Sequence, residues 1–257
     1  MGYRSYFNSR YKILAMTEKI LIASPIQNRG WILPYFLDHI KNIEYDKSNL
    51  GLFFLFNDSS DNSYSIISKN LLELKNIFRT VKILSIDIGM PPDKRNNIRR
   101  DRTYSWLAIL RNIIIEYFLN TDYDRLFMID CDILVKPDSL KKLLSFNKDI
   151  ISIAIANDRG IGQATNVLKK QKESTIYIHI PLKDISSEIP FECDLTGACI
   201  LINRNVLKSH CRYSRTNIGE DLGFCEECKK NGFRIYAIKG FAEHIMEPNQ
   251  LLSLNIS

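Results

Sequence analysis

Asp130-Cys131-Asp132 sets two carboxylates one residue apart, where the apolar run Leu126-Phe127-Met128-Ile129 stops. Oxygen ligands of this kind hold hard divalent cations such as Mg2+ or Mn2+, and a cation held there can grip a diphosphate. Side chains alternate along a strand, so a strand through this triplet would turn both carboxylates one way and Cys131 toward the core. A proline-started helix pattern follows at Pro137-Asp138-Ser139-Leu140. Ligands of open α/β sheets lie beyond the carboxyl ends of the strands, which is where this acid pair falls. A solvated turn at a strand end is the plainer use of the same residues. A second acid pair, Glu220-Asp221, opens a helical pattern over Ile218 to Lys230. Acids at a helix start are favoured by the backbone dipole, so capping alone can account for them.

The elements that must position these residues alternate in type. Lys19 to Ser24, Leu50 to Phe56, Val81 to Ile86 and Arg125 to Asp130 read as short buried strands, the first ending at Pro25. Trp31 to Ile43, Tyr64 to Thr80 and Thr103 to Asn120 carry helical spacing of apolar residues. Trp106, Ile109, Ile113 and Phe118 on the last of these read as core. Strands alternating with helices predict an α/β fold with a mostly parallel, Rossmann-like sheet flanked by helices. Beyond residue 136 the pattern loosens. Ile150 to Ala156, Cys199 to Ile202 and Phe233 to Ile238 read as strands, with a long polar loop at 157–190 that shapes a smaller subregion.

The 257 residues suffice for one large domain, and 45% hydrophobic with 25% charged residues is a globular balance. We expect residues 1–18 to be a loosely ordered basic extension and 19–257 a single domain, with halves at 19–135 and 136–257. No run approaches the roughly 18 apolar residues of a membrane span, and the N-terminus lacks a secretion signal, so a cytoplasmic location is expected. The basic arm is compatible with peripheral contact at the inner membrane face. A net charge of +6 suits an anionic ligand. Zinc-finger spacing, aromatic RNA-binding motifs and long basic runs are missing, which argues against nucleic acid. The six cysteines include Cys225-x-x-Cys228, which lacks a second ligand pair. Buried thiols in a reducing compartment are the expectation.

Four segments together resemble GT-A-fold glycosyltransferases, most like the family 2 group, which move a sugar from a nucleotide-diphosphate donor. They are Ala23-Ser24-Pro25-Ile26-Gln27-Asn28-Arg29, Phe56-Asn57-Asp58-Ser59-Ser60, Tyr123 to Pro137, and Thr196-Gly197-Ala198-Cys199 followed by Gly219-Glu220-Asp221. The resemblance implies a UDP- or GDP-sugar donor, a saccharide, lipid-linked or peptide acceptor, and inversion at the sugar. It implies donor contacts from Pro25, Asn28, Arg29, Asp58, Arg111 and Asp130. Arg111, followed by Asn112, would face the nucleotide. Metal ligation would fall to Asp132, with Asp130 acting through water or the ribose and His244 as a third ligand. Asp221 would be the general base, and Glu220 would orient the acceptor or supply a second carboxylate. Plainer roles remain open: a turn cap for Asp58, a carbonyl-bonded imidazole for His244, and a solvated basic loop for Arg99, Arg100 and Arg102. The Gln-x-x-Arg-Trp signature of processive members is missing, so one sugar per event is expected. Two rivals stand beside this reading: a sugar-1-phosphate nucleotidyltransferase, and a catalytically degenerate nucleotide-binding member.

Overall fold

The computed structural model describes residues 18–89, 101–158 and 161–254. Most of the N-terminal extension and the basic loop with Arg99 and Arg100 lie outside the described residues, as does the side chain of Arg102. Eight strands form the main sheet in the order β3-β2-β1-β4-β10-β6-β11-β9. They are β1 (Ile20–Ile26), β2 (Leu50–Asn57), β3 (Thr80–Ile86), β4 (Arg125–Ile129), β6 (Ile150–Ala154), β9 (Phe191–Cys193), β10 (Cys199–Asn203) and β11 (Ile235–Lys239). The β1, β2, β3 and β4 ladders are parallel, as is β6 with β11. β10 runs antiparallel to both neighbours, and β9 runs antiparallel to β11.

The near-continuous apolar runs follow from helices on both faces of this sheet. Ile20, Ile22, Leu52, Phe54, Phe127 and Ile129 point to one layer, with α1 (Leu33–Lys41), α2 (Ser63–Ile77) and α4 (Ser139–Ser145). Leu21, Ala23, Phe53, Leu55, Leu126 and Met128 point to the other. That layer is covered by α3 (Asp101–Leu119), α5 (Arg204–Lys208) and α6 (Glu220–Lys230). Complete burial of one such side chain, Phe127 for example, contributes about 2 kcal/mol. Two small pairs lie outside the main sheet: β5 (Ile133–Val135) with β12 (Ala242–His244), and β7 (Leu168–Lys170) with β8 (Tyr177–His179). A last helix, α7 (Gln250–Leu254), follows β12.

Several expectations need correction. Pro25 does not end β1; it stays in register with Leu55 of β2. The ladder to β4 already stops at Ala23, so the missing proline N–H breaks no bond on that side. Ile109 is 47% exposed rather than core, because Ala108, Leu110, Ile114, Ile115 and Phe118 make the inward stripe of α3. Trp106 and Ile113 pack half-buried at its edge. The polar segment after β6 is not one loop. It holds the β7–β8 hairpin and then β9, which extends the main sheet. The six cysteines are buried and free. Burial pushes the Cys225 thiol up to about 12.

Gly51 shows how tightly the strands are set. A Cβ there would overlap the Tyr123 hydroxyl, which hydrogen-bonds Thr80 Oγ1 at 2.7 Å. Gly51→Ala should therefore destabilise the fold by about 1–3 kcal/mol, measured by urea unfolding. Adding Tyr123→Phe should recover only part of that loss, since it removes the nearest conflicting atom but leaves the ring carbon Cζ overlapping the new Cβ. Equal stability of wild type and Gly51→Ala would show that the strand yields freely.

Candidate active site

β4 ends one residue before the acid pair. Asp130 leaves the strand with its N–H donating to Ala198 O at 2.7 Å, and the turn closes through Ile133 N to Asp130 O at 3.0 Å. Strand alternation therefore does not govern the triplet. Cys131 is buried, as expected, but the two carboxylates face different partners. Asp130 turns to Arg111, whose Nη2 donates to its Oδ2 at 3.2 Å. Asp132 turns to Arg29 Nε at 3.4 Å and His244 Nε2 at 3.8 Å.

His244 reaches Asp132 through the small β5–β12 sheet, in which it pairs with Ile133. Ile245 N also donates to Asp132 O at 2.8 Å. The imidazole Nδ1 lies 3.2 Å from Ala156 O and 3.1 Å from Asn157 Oδ1. A carbonyl oxygen can only accept, so Nδ1 carries the proton in that contact. In the neutral ring the Nε2 lone pair then faces the Asp132 carboxylate. Two facing Lewis bases, with the outer ring nitrogen tied to a carbonyl, form the orientation that metal-bound histidines use. Among the described residues no group of three His, Cys, Asp or Glu side chains converges into a complete metal cage. The donor set fits Mg2+ or Mn2+ shared with phosphate oxygens and water.

The donor-side turns are laced together. Asn28, at φ 50°, accepts from Ser60 N at 2.8 Å and Asp61 N at 3.2 Å. Arg29 N donates to Ser63 Oγ at 2.8 Å, and Gly30 N to Asp61 Oδ2 at 2.8 Å. Asn28 thus staples the β1 turn to the β2 turn, and Asp61, not singled out from the sequence, completes the staple. Asp58, at φ 45°, accepts from Gly89 N at 2.9 Å and Ile88 N at 3.2 Å. Burial opposes its ionisation, but hydrogen bonds from Asp87, Asn57 and these two amides outweigh it and hold the carboxyl below the ordinary range. The turn-cap role of Asp58 is therefore present.

On the acceptor side, Thr196-Gly197-Ala198 runs into β10. A Cβ on Gly197 would overlap the Asp221 carboxylate, so glycine lets that group lie against the backbone. Ala198 takes a positive φ of 64°. Asn166, which carried no sequence signal beyond a polar residue in a polar stretch, braces this turn from the excursion. Its amide donates to Gly197 O at 2.9 Å and Ile153 O at 3.0 Å, and its Oδ1 accepts from Ile155 N at 2.9 Å.

Two of the expected site residues are deeply buried. Arg111 is 3% exposed and Glu220 is 3% exposed, and they pair at 3.2 Å. Burial alone would discharge Arg111, yet the fields of Asp130, Asp221 and Glu220 hold its pKa well above the ordinary value. Arg111 faces the carboxylates of Asp130 and Glu220, and Glu220 faces Arg111. Burial on the inner side of α3 and α6 is the reason for both. Asp221 remains partly open, with Oδ1 3.8 Å from Arg111 Nε.

This layered sheet, with an acid pair beyond β4 between laced donor turns and a glycine turn, defines the GT-A glycosyltransferase fold. The chain belongs to the Anp1 family, whose family model matches residues 5–173, where the motifs alone had suggested likeness to family 2. It is 22% identical over 280 aligned positions to the mannan polymerase II complex anp1 subunit of Schizosaccharomyces pombe, covering 90% of this chain and 65% of that protein. It is 27% identical over 154 residues to a glycosyltransferase 25 family member of Aedes aegypti, covering 57% of this chain and 24% of that protein. Among solved structures, GalNAc-T7 with UDP, GalNAc and Mn2+ superposes with a TM-score of 0.60 at 12% identity, covering 90% of this chain and 44% of that one. The chain thus spans less than two thirds of each of these proteins. No helix among the described residues is long and apolar enough to cross a membrane.

Proposed function

We propose that this domain transfers one sugar from a nucleoside-diphosphate sugar to an acceptor hydroxyl, with inversion. The observation that carries the reading is the approach of Asp132 Oδ1 and His244 Nε2 to 3.8 Å at the end of β4. When bound there, a divalent cation would screen the charge that builds on the departing diphosphate. Asp132 and His244 would hold it, with Asp130 acting through water or the donor ribose. Asp221 accepts the proton of the acceptor hydroxyl as that oxygen bonds to the anomeric carbon and the bond to the diphosphate breaks. Pro25, Asn28, Arg29 and Asp58 frame the nucleotide, and residues 157–190 shape the acceptor side. Solved neighbours bound to UDP, GalNAc and Mn2+ and to GDP-Man and Mn2+ support a nucleoside-diphosphate sugar donor without choosing its base.

A thermal-shift panel tests this. A UDP- or GDP-sugar with Mn2+ at a hundredfold excess over its dissociation constant should raise the melting temperature by about 5 °C or more, and neither component alone should do so. Stabilisation by free nucleoside triphosphate only would favour the nucleotidyl-transfer rival. Binding without any released nucleoside diphosphate, across donors and acceptors, would favour the degenerate one.

A further inference from the structure

Arg111 and Asn112 are neighbours on α3, and both reach the entry of α6 without leaving a group aimed at a ligand. The Arg111 Nε donates to Glu220 at 3.2 Å, Nη2 to Asp130 at 3.2 Å and Nη1 to Met128 Sδ at 3.3 Å. The Tyr213 ring lies 5.5 Å from its guanidinium carbon. Asn112 forms a reciprocal pair with the Tyr213 backbone: its amide donates to Tyr213 O at 2.9 Å, and its Oδ1 accepts from Tyr213 N at 2.9 Å. The Tyr213 ring in turn stacks on Phe224 of α6 at 4.4 Å. Thr216 closes the intervening turn, with its hydroxyl donating to Gly219 O at 2.6 Å and accepting from Gly219 N at 3.1 Å.

We propose that Arg111-Asn112 is a positioning pair that sets the first turn of α6, and with it Asp221, in a fixed relation to Asp130. The inference rests on the reading of Asp221 as general base. Arg111 ties the buried carboxylate beside Asp221 to the donor-side acid through one guanidinium. Asn112 fixes the segment that leads into the helix. Each guanidinium nitrogen of Arg111 and both polar side-chain atoms of Asn112 have protein partners. The two carboxylates that serve donor and acceptor are therefore spaced by a helix in the same layer as α6, not by the loops that carry ligands.

The variants are Arg111→Lys and Asn112→Ala, with Glu220→Gln as an independent break of the same link should Arg111→Lys fail to fold. Two readouts are taken on each folded variant: a split of kcat from donor KM, and hydrogen exchange without ligand. Expected are kcat values lower by about tenfold or more with donor KM within about threefold. Faster amide exchange over residues 213–222 should accompany this, with exchange at residues 28–61 unchanged. A tenfold rise in donor KM at unchanged kcat would make these residues nucleotide contacts and overturn the proposal. Unaltered exchange at 213–222 would overturn it equally. If the wild-type protein transfers no sugar, the functional reading fails, and the exchange measurement still decides whether this pair sets α6.

Discussion

Asp132→Asn should remove the proposed metal-dependent donor binding. In calorimetry, affinity for UDP with Mn2+ should fall by roughly a hundredfold or more, a loss at the upper end of those seen when metal-site groups are altered. The size follows from what the side chain faces. Asp132 stands between Arg29 at 3.4 Å and His244 at 3.8 Å. Asparagine keeps the volume and one oxygen but removes the charge that a hard cation needs. It also weakens the contact to Arg29, so the ligand-free melting temperature should be measured alongside; we expect it to move by only a few degrees. Donor affinity equal to wild type would refute the metal assignment, because no other described carboxylate pairs with His244.

The second large effect is on transfer rather than on binding. Asp221→Asn should lower turnover by about a hundred- to ten-thousandfold, the usual worth of a positioned proton acceptor, while donor affinity stays within about threefold. Asparagine fits the space against Gly197 that the carboxylate occupies, so packing there is retained. The variant loses the ability to take a proton and one of the three carboxylate charges facing Arg111, which keeps Asp130 and Glu220. A fully active Asp221→Asn enzyme would place the base elsewhere in the site.

Much of this architecture is written in local chemistry. The strands β1, β2 and β4 announce themselves as apolar runs because helices bury both faces, and Asp130-Cys131-Asp132 marks the end of one of them. The three-residue strands β5, β7, β8, β9 and β12 are too short to show a period, so the excursion after β6 reads as loop. The antiparallel course of β10 is equally hidden, because a buried strand has the same composition in either direction. Arg111 is the instructive case at the site. A resemblance to other helices of its kind points it at a nucleotide, yet nothing in the local sequence reveals that Glu220, 109 positions away, will be buried against it. Asn166 and Asp61 escape for the same reason: their work is to satisfy backbone groups of distant turns. Pro25 misleads because its cost depends on a neighbour strand that stops two residues earlier.

The reversed direction of β10 has a consequence of its own. Cys199 sits opposite Ile129, so the start of one strand is clamped to the finish of the other. The glycine turn meets the acid pair only while that alignment persists. Sliding the ladder by two residues would keep every side chain on its proper face yet carry the turn about 7 Å along the sheet. Hydrogen-bond alignment between two strands thus acts as the ruler for a reaction that neither strand touches.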